Sequence, residues 1–358
     1  MKQSRFAGSR LVACRTGRGE RGVTLVEMLV AMVVGLILLA GIVQLFVSNK
    51  QAYRLQEGTN VLNENARYAL AQIQYDLRMG DHWGGLEASE VTLLSGLDSV
   101  TGNCAGTAAA IVATGLYGYD GTATSPLACI PASDYVPNSD LLVVRYVDPL
   151  RKASGGLVAS DFYLRAAIGR RGMIFQGNSK ANLPSDLLSA TLGQTDVYAE
   201  SPEAANYPFH AMIYFLRPCA SQDRGSAGVC DGADDSLPTL ARLTLRGTSM
   251  VEEDIIAGVE QMQLSYGVDL NADRAPDIYR HATDVTTNNE WGKVVDVKLS
   301  LLIRNSERDT GYTDTTTYQL FGGAGGASVS YTVPTNAQQF RRKAYNAAVQ
   351  VRNMTRGG

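Results

Sequence analysis

Gly22-Val23-Thr24-Leu25-Val26-Glu27-Met28-Leu29 opens an apolar run that continues to Val47. Residues 23–47 form a run of 25 in which Glu27 is the only ionisable side chain. At ~1.5 Å rise per helical residue this run is about 37 Å long, enough to cross a ~30 Å hydrocarbon core with some tilt. A single lipid-crossing segment must be helical, because its backbone polar groups need partners within the segment. A carboxylate inside such a segment costs on the order of 2.5–3.5 kcal/mol at the helix centre and less near an end. Glu27 is therefore a candidate functional residue. The plainer reading is that its side chain reaches back to the membrane interface.

Residues 1–22 precede the run and carry Lys2, Arg5, Arg10, Arg15, Arg18 and Arg21 against Glu20, six cations to one acid or +5. Such a flank holds the N-terminus on the cytoplasmic side and sends the rest of the chain across the membrane. A secretory signal peptide has its small-residue cleavage site after the apolar core. Here the small residue, Gly22, stands before it. A cut there removes the basic arm and leaves the helix in place.

Arg21-Gly22 followed by Val23-Thr24-Leu25-Val26-Glu27 resembles the class III signal of type IV prepilins and pseudopilins. The resemblance implies that a prepilin peptidase cuts after Gly22, that Val23 becomes an N-methylated terminus, and that Glu27 is the family's glutamate. It departs from the major pilins at Val23, where they usually carry phenylalanine, and in having no proline between residues 23 and 47. In physical terms, the new amine at Val23 is a cation in apolar surroundings. A neighbouring subunit's Glu27 can meet it, since a lone charge in low dielectric is far worse than a paired one. Such pairing sets the axial register of bundled helices, as one buried polar group does in a coiled coil. Gly35 and Gly41 would let helices approach closely, although six apart they are not a GxxxG pair.

Without its leader the chain has 26 basic and 34 acidic residues, near −8. That balance gives no basic footprint, and no direct nucleic-acid partner is expected. Removing the leader also removes Cys14 and leaves Cys104, Cys129, Cys219 and Cys230. In an oxidising compartment these would form disulfides. Three connectivities are open, and the local pairs Cys104–Cys129 and Cys219–Cys230 are favoured because each brackets a loop rich in small and polar residues. The spacings and the histidines (82, 210 and 281) do not suggest zinc.

From Ser48 the pattern becomes amphipathic. Leu55, Leu62, Ala66, Ala69, Ile73 and Leu77 fall on one helical face. Arg54, Glu57, Asn60, Glu64, Arg67 and Asp76 are placed mostly elsewhere. Gly58 and residues 60–63 are soft spots where a bend is conceivable, and Gly80 with Gly84-Gly85 ends the helix. Strands are expected over 141–147, 162–168, 173–176, 212–216, 240–246, 259–268 and 294–303. Segments 101–139, 178–208 and 221–238 read as long loops, 322–326 as a flexible spacer, and 340–354 as a short helix or a last strand.

The expected fold class is α+β and pilin-like: a long N-terminal helix, half in the membrane and half amphipathic, packed on an antiparallel β-sheet with long loops. The expected divisions are a cleaved leader (1–22), a transmembrane or filament-core helix (23–47), an amphipathic helix (48–80) and a β-rich domain (81–358). Within the family, size and the segments around 256–269, 294–303 and 340–353 resemble the PilW-type minor pilins. That resemblance implies assembly into a type IV pilus in a priming or tip complex. Its implied partners are other minor and major pilins, prepilin peptidase and the inner-membrane assembly machinery. The implied location is the inner membrane, single-pass with the C-terminal domain in the periplasm, and then the pilus. A type II secretion pseudopilin shares the same cut site, and an uncut membrane-anchored adhesin or receptor is a third reading.

One further motif stands out. Asp269, Asn271, Asp273 and Asp277 place oxygens at positions 1, 3, 5 and 9 of a loop, the alternation used to gather Ca2+. Arg274 stands where a glycine would ease the turn and Arg280 where a bidentate glutamate would sit, so the alternative is an acidic β-turn. Asp231, Asp234 and Asp235 read as solvated loop. No G-x-S-x-G elbow, Walker or dinucleotide fingerprint occurs, and Glu252-Glu253-Asp254 reads as the charged start of a strand. The chain is not expected to be an enzyme.

Overall fold

The computed structural model describes residues 22–95, 97, 114–167, 169, 171–188, 196–201, 204–231, 237–309, 311–323 and 326–354. The chain divides into two compact units, Met1–Glu57 and Gly58–Gly358. One helix, α1 (Leu25–Met79), begins in the first and ends in the second without a break. In the first unit its large apolar side chains from Leu25 to Val47 are exposed. The helix is long and apolar enough to cross a membrane.

In the second unit, α1 buries Leu62, Ala66, Ala69, Ile73 and Leu77. These are the expected face, and full burial of a Leu or Ile is worth about 1.5–3 kcal/mol each. Leu55, placed on that face by its spacing, is 39% exposed. Gly58 lies within the helix. A Cβ there would lie 2.6 Å from the Asn305 side-chain nitrogen, so glycine permits a close approach.

Two sheets complete this unit. The larger contains β1 (Val91–Leu93), β2 (Leu116–Tyr119), β3 (Leu141–Val147), β4 (Phe162–Ala167), β5 (Arg171–Gln176), β6 (Ala204–Arg217), β7 (Thr239–Arg246) and β8 (Ser249–Ala257). Its order is β1-β5-β4-β6-β3-β2, with β7 joined to β6 and β8 to β7. The 14-residue β6 is the spine, pairing first with β4, then with β3 and finally with β7. Among the described residues only β1 and β5 run parallel. The second sheet has the order β10-β9-β11-β14, from β9 (Val259–Val268), β10 (Ile278–Arg280), β11 (Val294–Arg304) and β14 (Arg342–Gln350). A separate hairpin, β12 (Thr317–Leu320) with β13 (Val329–Thr332), and a short helix, α2 (Ala282–Thr287), complete the elements relevant here. The main core joins the buried face of α1 to side chains of both sheets, among them Leu142, Tyr214, Leu240, Leu264, Leu299 and Val349.

Asp140 ties the sheets together. Its carboxylate accepts backbone N–H groups from Gly121 at 2.8 Å and Leu264 at 2.7 Å, and its own N–H donates to the Met262 carbonyl. Burial pushes this carboxyl up to about 8, against the pull of those two donors.

Several expectations are corrected. The strand placed at 212–216 is much longer, because residues 204–211, which lie partly within a segment taken for a loop, extend the spine past Pro208. The acids at 252–254 sit in the middle of β8 rather than at a strand's start. Their charge is neutralised from other elements: Arg217 bonds Glu252 and Asp254, Arg224 bonds Glu252, and Arg242 bonds Glu253. The segment 101–139 contains β2, while the tail takes the second of its two expected forms, the strand β14. Gly322 and Gly326 take positive φ, +111° and +80°, in the connection between β12 and β13, a backbone shape that glycine tolerates best.

Candidate processing and assembly site

Residues 1–21 lie outside the described residues. Gly22 is exposed and precedes the helix, so the Gly22–Val23 peptide lies in non-helical chain. A Cβ at Gly22 would meet nothing within 4 Å.

Thr24 is the N-cap of α1 and Glu27 is its third helical residue. The Thr24 backbone N–H donates to Glu27 Oε2 at 3.1 Å, and the Thr24 hydroxyl donates to the same oxygen at 3.0 Å. In return the Glu27 N–H lies 3.3 Å from Thr24 Oγ1. This is a capping box, which satisfies donors that the first helical turn cannot pair by itself. Sequence reading gave Glu27 only an external partner and assigned Thr24 nothing. The T-x-x-E spacing was the available signal. The donors that Thr24 supplies to the carboxylate are neutral.

A second constellation lies wholly in the larger unit. Asp76, placed with the residues lying mostly off the apolar face, is only 2% exposed. The Tyr146 hydroxyl donates to its Oδ1 at 2.9 Å, the Tyr214 hydroxyl donates to its Oδ2, and Arg242 Nη1 lies 3.2 Å from that oxygen. The periodicity is right and the polarity misleads: three sheet residues far away in sequence make a wet-looking position into a buried anchor. Near the end of α1, the Asn353 carboxamide nitrogen donates to the carbonyls of Arg78, Met79 and Gly80 at 3.1, 3.3 and 3.1 Å. Beside Asp76 opens a cleft of about 580 Å³, lined among others by Tyr75, Lys152, Tyr163, Phe209 and His210. Burial lowers the His210 pKa there, which keeps the ring neutral more readily.

Of the cysteines, Cys219 and Cys230 are bonded, with Cα atoms 5.8 Å apart. Asp134 holds the same loop by accepting the Cys230 N–H at 2.8 Å and pairing with Arg224 at 2.7 Å. The other expected pair involves Cys104, which lies outside the described residues.

The 269–277 loop folds around Asp269. Its carboxylate accepts the N–H groups of Asn271, Ala272 and Arg274 at 3.1, 2.7 and 2.7 Å. Burial works against the charged form, yet these backbone donors hold the Asp269 carboxyl below its ordinary value. Asn271 Nδ2 bonds Asp273 and Asp277 at 3.2 and 3.0 Å. Among the described residues, no group of three or more His, Cys, Asp or Glu side chains is arranged to hold a metal ion.

Comparison with known families gives two matches. Residues 17–43 match the prokaryotic N-terminal methylation motif, and residues 224–353 match type IV pilus-assembly protein W. The second match takes in β7 through β14 and ends at the residue that caps α1. No curated protein matches, and no solved structure does.

Proposed function

We propose that this chain, a minor pilin of the PilW type that takes part in type IV pilus assembly, acts as a structural subunit of the complex that starts the filament or forms its tip. In this reading prepilin peptidase cuts after Gly22, Val23 is N-methylated, and the released amine of a neighbouring subunit meets Glu27. The leader would be cytoplasmic, residues 23–47 would lie in the inner membrane before assembly and in the filament core after it, and the β-rich domain would face the periplasm. Other minor and major pilins and the inner-membrane machinery would be its partners.

The observation that carries this reading is the exposed Gly22–Val23 peptide immediately before a capped, 25-residue apolar run with one acid. The match over 224–353 favours a pilus subunit over a secretion pseudopilin or an uncut anchored adhesin. N-terminal sequencing of the protein from membranes tests it. A chain beginning with N-methyl-valine supports it, and a chain beginning with Met1 in piliated cells defeats it.

Calcium in the 269–277 loop is a separate proposal that rests on the spacing of its oxygens. A thermal midpoint raised by millimolar calcium, with the rise lost in Asp273→Ala, supports it. No shift in the unsubstituted protein removes it.

A further inference from the structure

The open edges of the two sheets differ in how they are protected. An outer strand presents unpaired N–H and C=O groups that invite another strand, and proteins blunt such edges by shortness, charge, proline or bulges. β1, β2 and β10 are three or four residues long. β8 is longer but carries Glu252, Glu253 and Asp254 at its centre, and its register with β7 shifts between Leu240 and Ala241. β14 is nine residues long and its charges, Arg342 and Lys343, are confined to its first two positions. It pairs with β11 in unbroken register, from Asp296 opposite Gln350 to Arg304 opposite Arg342. Between Ala344 and Gln350 it has no charged residue and no proline.

The ladder also fixes which backbone groups point outward. The Val351 N–H donates to the Val295 carbonyl at 2.9 Å, and the Asn305 N–H donates to the Arg341 carbonyl at 3.0 Å. Antiparallel strands alternate bonded and non-bonded pairs. The odd-numbered residues of β14 therefore bond β11, and the even-numbered ones aim their N–H and C=O away from it. β14 pairs with β11 alone, and among the described residues the outward backbone groups of Ala344, Asn346, Ala348 and Gln350 have no backbone partner. The neighbours on either face reach β14 through side chains. Asn63 of α1 accepts from Lys343 and Tyr345, and Ser300, which receives the Phe321 N–H, donates to Asn346.

We propose that the outer edge of β14, from Ala344 to Gln350, receives an extended strand of another pilus subunit. This rests on the pilus-subunit reading above. Alanines at 344, 347 and 348 leave room for a close neighbour. Lys343, exposed just before this stretch and bonded to the neutral Asn63 carboxamide, fits an uncharged strand with an acidic residue at its end. Main-chain bonds would supply the affinity, and side chains the choice of partner.

Amide hydrogen exchange tests this on the full chain, compared as a detergent monomer and in isolated pili or their membrane-bound precursor. The even-numbered amides from 344 to 350 are expected to slow by about tenfold or more on assembly, while 345, 347 and 349 are slow in both states. Equal rates at the even-numbered amides in the two states overturn the proposal. Two variants act on the same edge. Ala348→Pro removes an outward N–H without breaking a ladder bond, and Ala348→Lys keeps the N–H but adds an edge-blunting charge. Both are expected to leave cleavage after Gly22 and the monomer's thermal midpoint unchanged, and to lose incorporation into the pilus. Incorporation of Ala348→Lys at the unsubstituted level overturns the proposal, and so does a cross-link joining residue 348 of two copies of this chain, which makes the partner a second copy. An unsubstituted chain that keeps Met1 removes the pilus-subunit reading and this proposal together. A correctly cut chain with unprotected even-numbered amides removes only the proposal.

Discussion

Glu27 meets two demands that a substitution can separate. It closes the capping box with Thr24, and it carries the lone negative charge of the apolar run. Glutamine also serves at this position of a capping box. Glu27→Gln is therefore expected to keep the helix start and cleavage after Gly22 while losing incorporation into pili, read by N-terminal sequencing and by blotting sheared filaments. Normal incorporation would mean that the charge is dispensable. Asp140 sets a pH dependence of a different kind. Its carboxyl is raised from the usual 3.8 to about 8 by burial, so between those values the unfolded chain is ionised and the folded chain is not. Stability from this group is therefore full below about pH 4 and falls as pH rises toward 8, by up to ~1.4 kcal/mol per unit. Asp140→Asn should flatten that slope in denaturation curves taken at pH 5, 7 and 9. Residue roles of this sort were unevenly legible. The Thr24 cap was missed although its spacing to Glu27 is a local signal, whereas nothing near Asp140 in sequence reveals that Leu264 will donate to it.

Among the elements, α1 was readable because a 3.6-residue repeat reports one buried face whatever lies opposite it. What the repeat cannot report is a polar residue on that face whose partners come from distant strands. Asp76 is that case, and removing it leaves two tyrosine hydroxyls and a guanidinium without their shared acceptor. Asp76→Ala is expected to cost about 3 kcal/mol, measured by denaturant titration, and Asp76→Asn should cost less. The strands with β-branched or alternating runs, such as β3, β9 and β11, were legible for the same local reason. β8 was not, because its acids are strand-compatible only once Arg217, Arg224 and Arg242 have been brought beside them. The Cys219–Cys230 bond closes the loop that carries Arg224. Replacing both cysteines by serine should cost about 3 kcal/mol for a closure of this length, read as a lowered denaturation midpoint under non-reducing conditions.

At the scale of the whole molecule, the N-terminal signal and helix were the most legible part, since length and apolarity within one short stretch suffice to read them. The division of the β-rich unit into two sheets with a shared spine was not legible, because it depends on pairings between residues far apart in sequence. The same long reach governs the timing of folding. The last turn of α1 is closed by Asn353, which lies 273 to 275 residues beyond the carbonyls it caps, and β11 gains its outer neighbour only when β14 arrives. A chain still emerging therefore holds an unfinished helix end and a β11 without its outer neighbour until residues 342–353 are delivered. A chain cut before residue 342 would lack both the outer neighbour of β11 and the side chain that closes the end of α1.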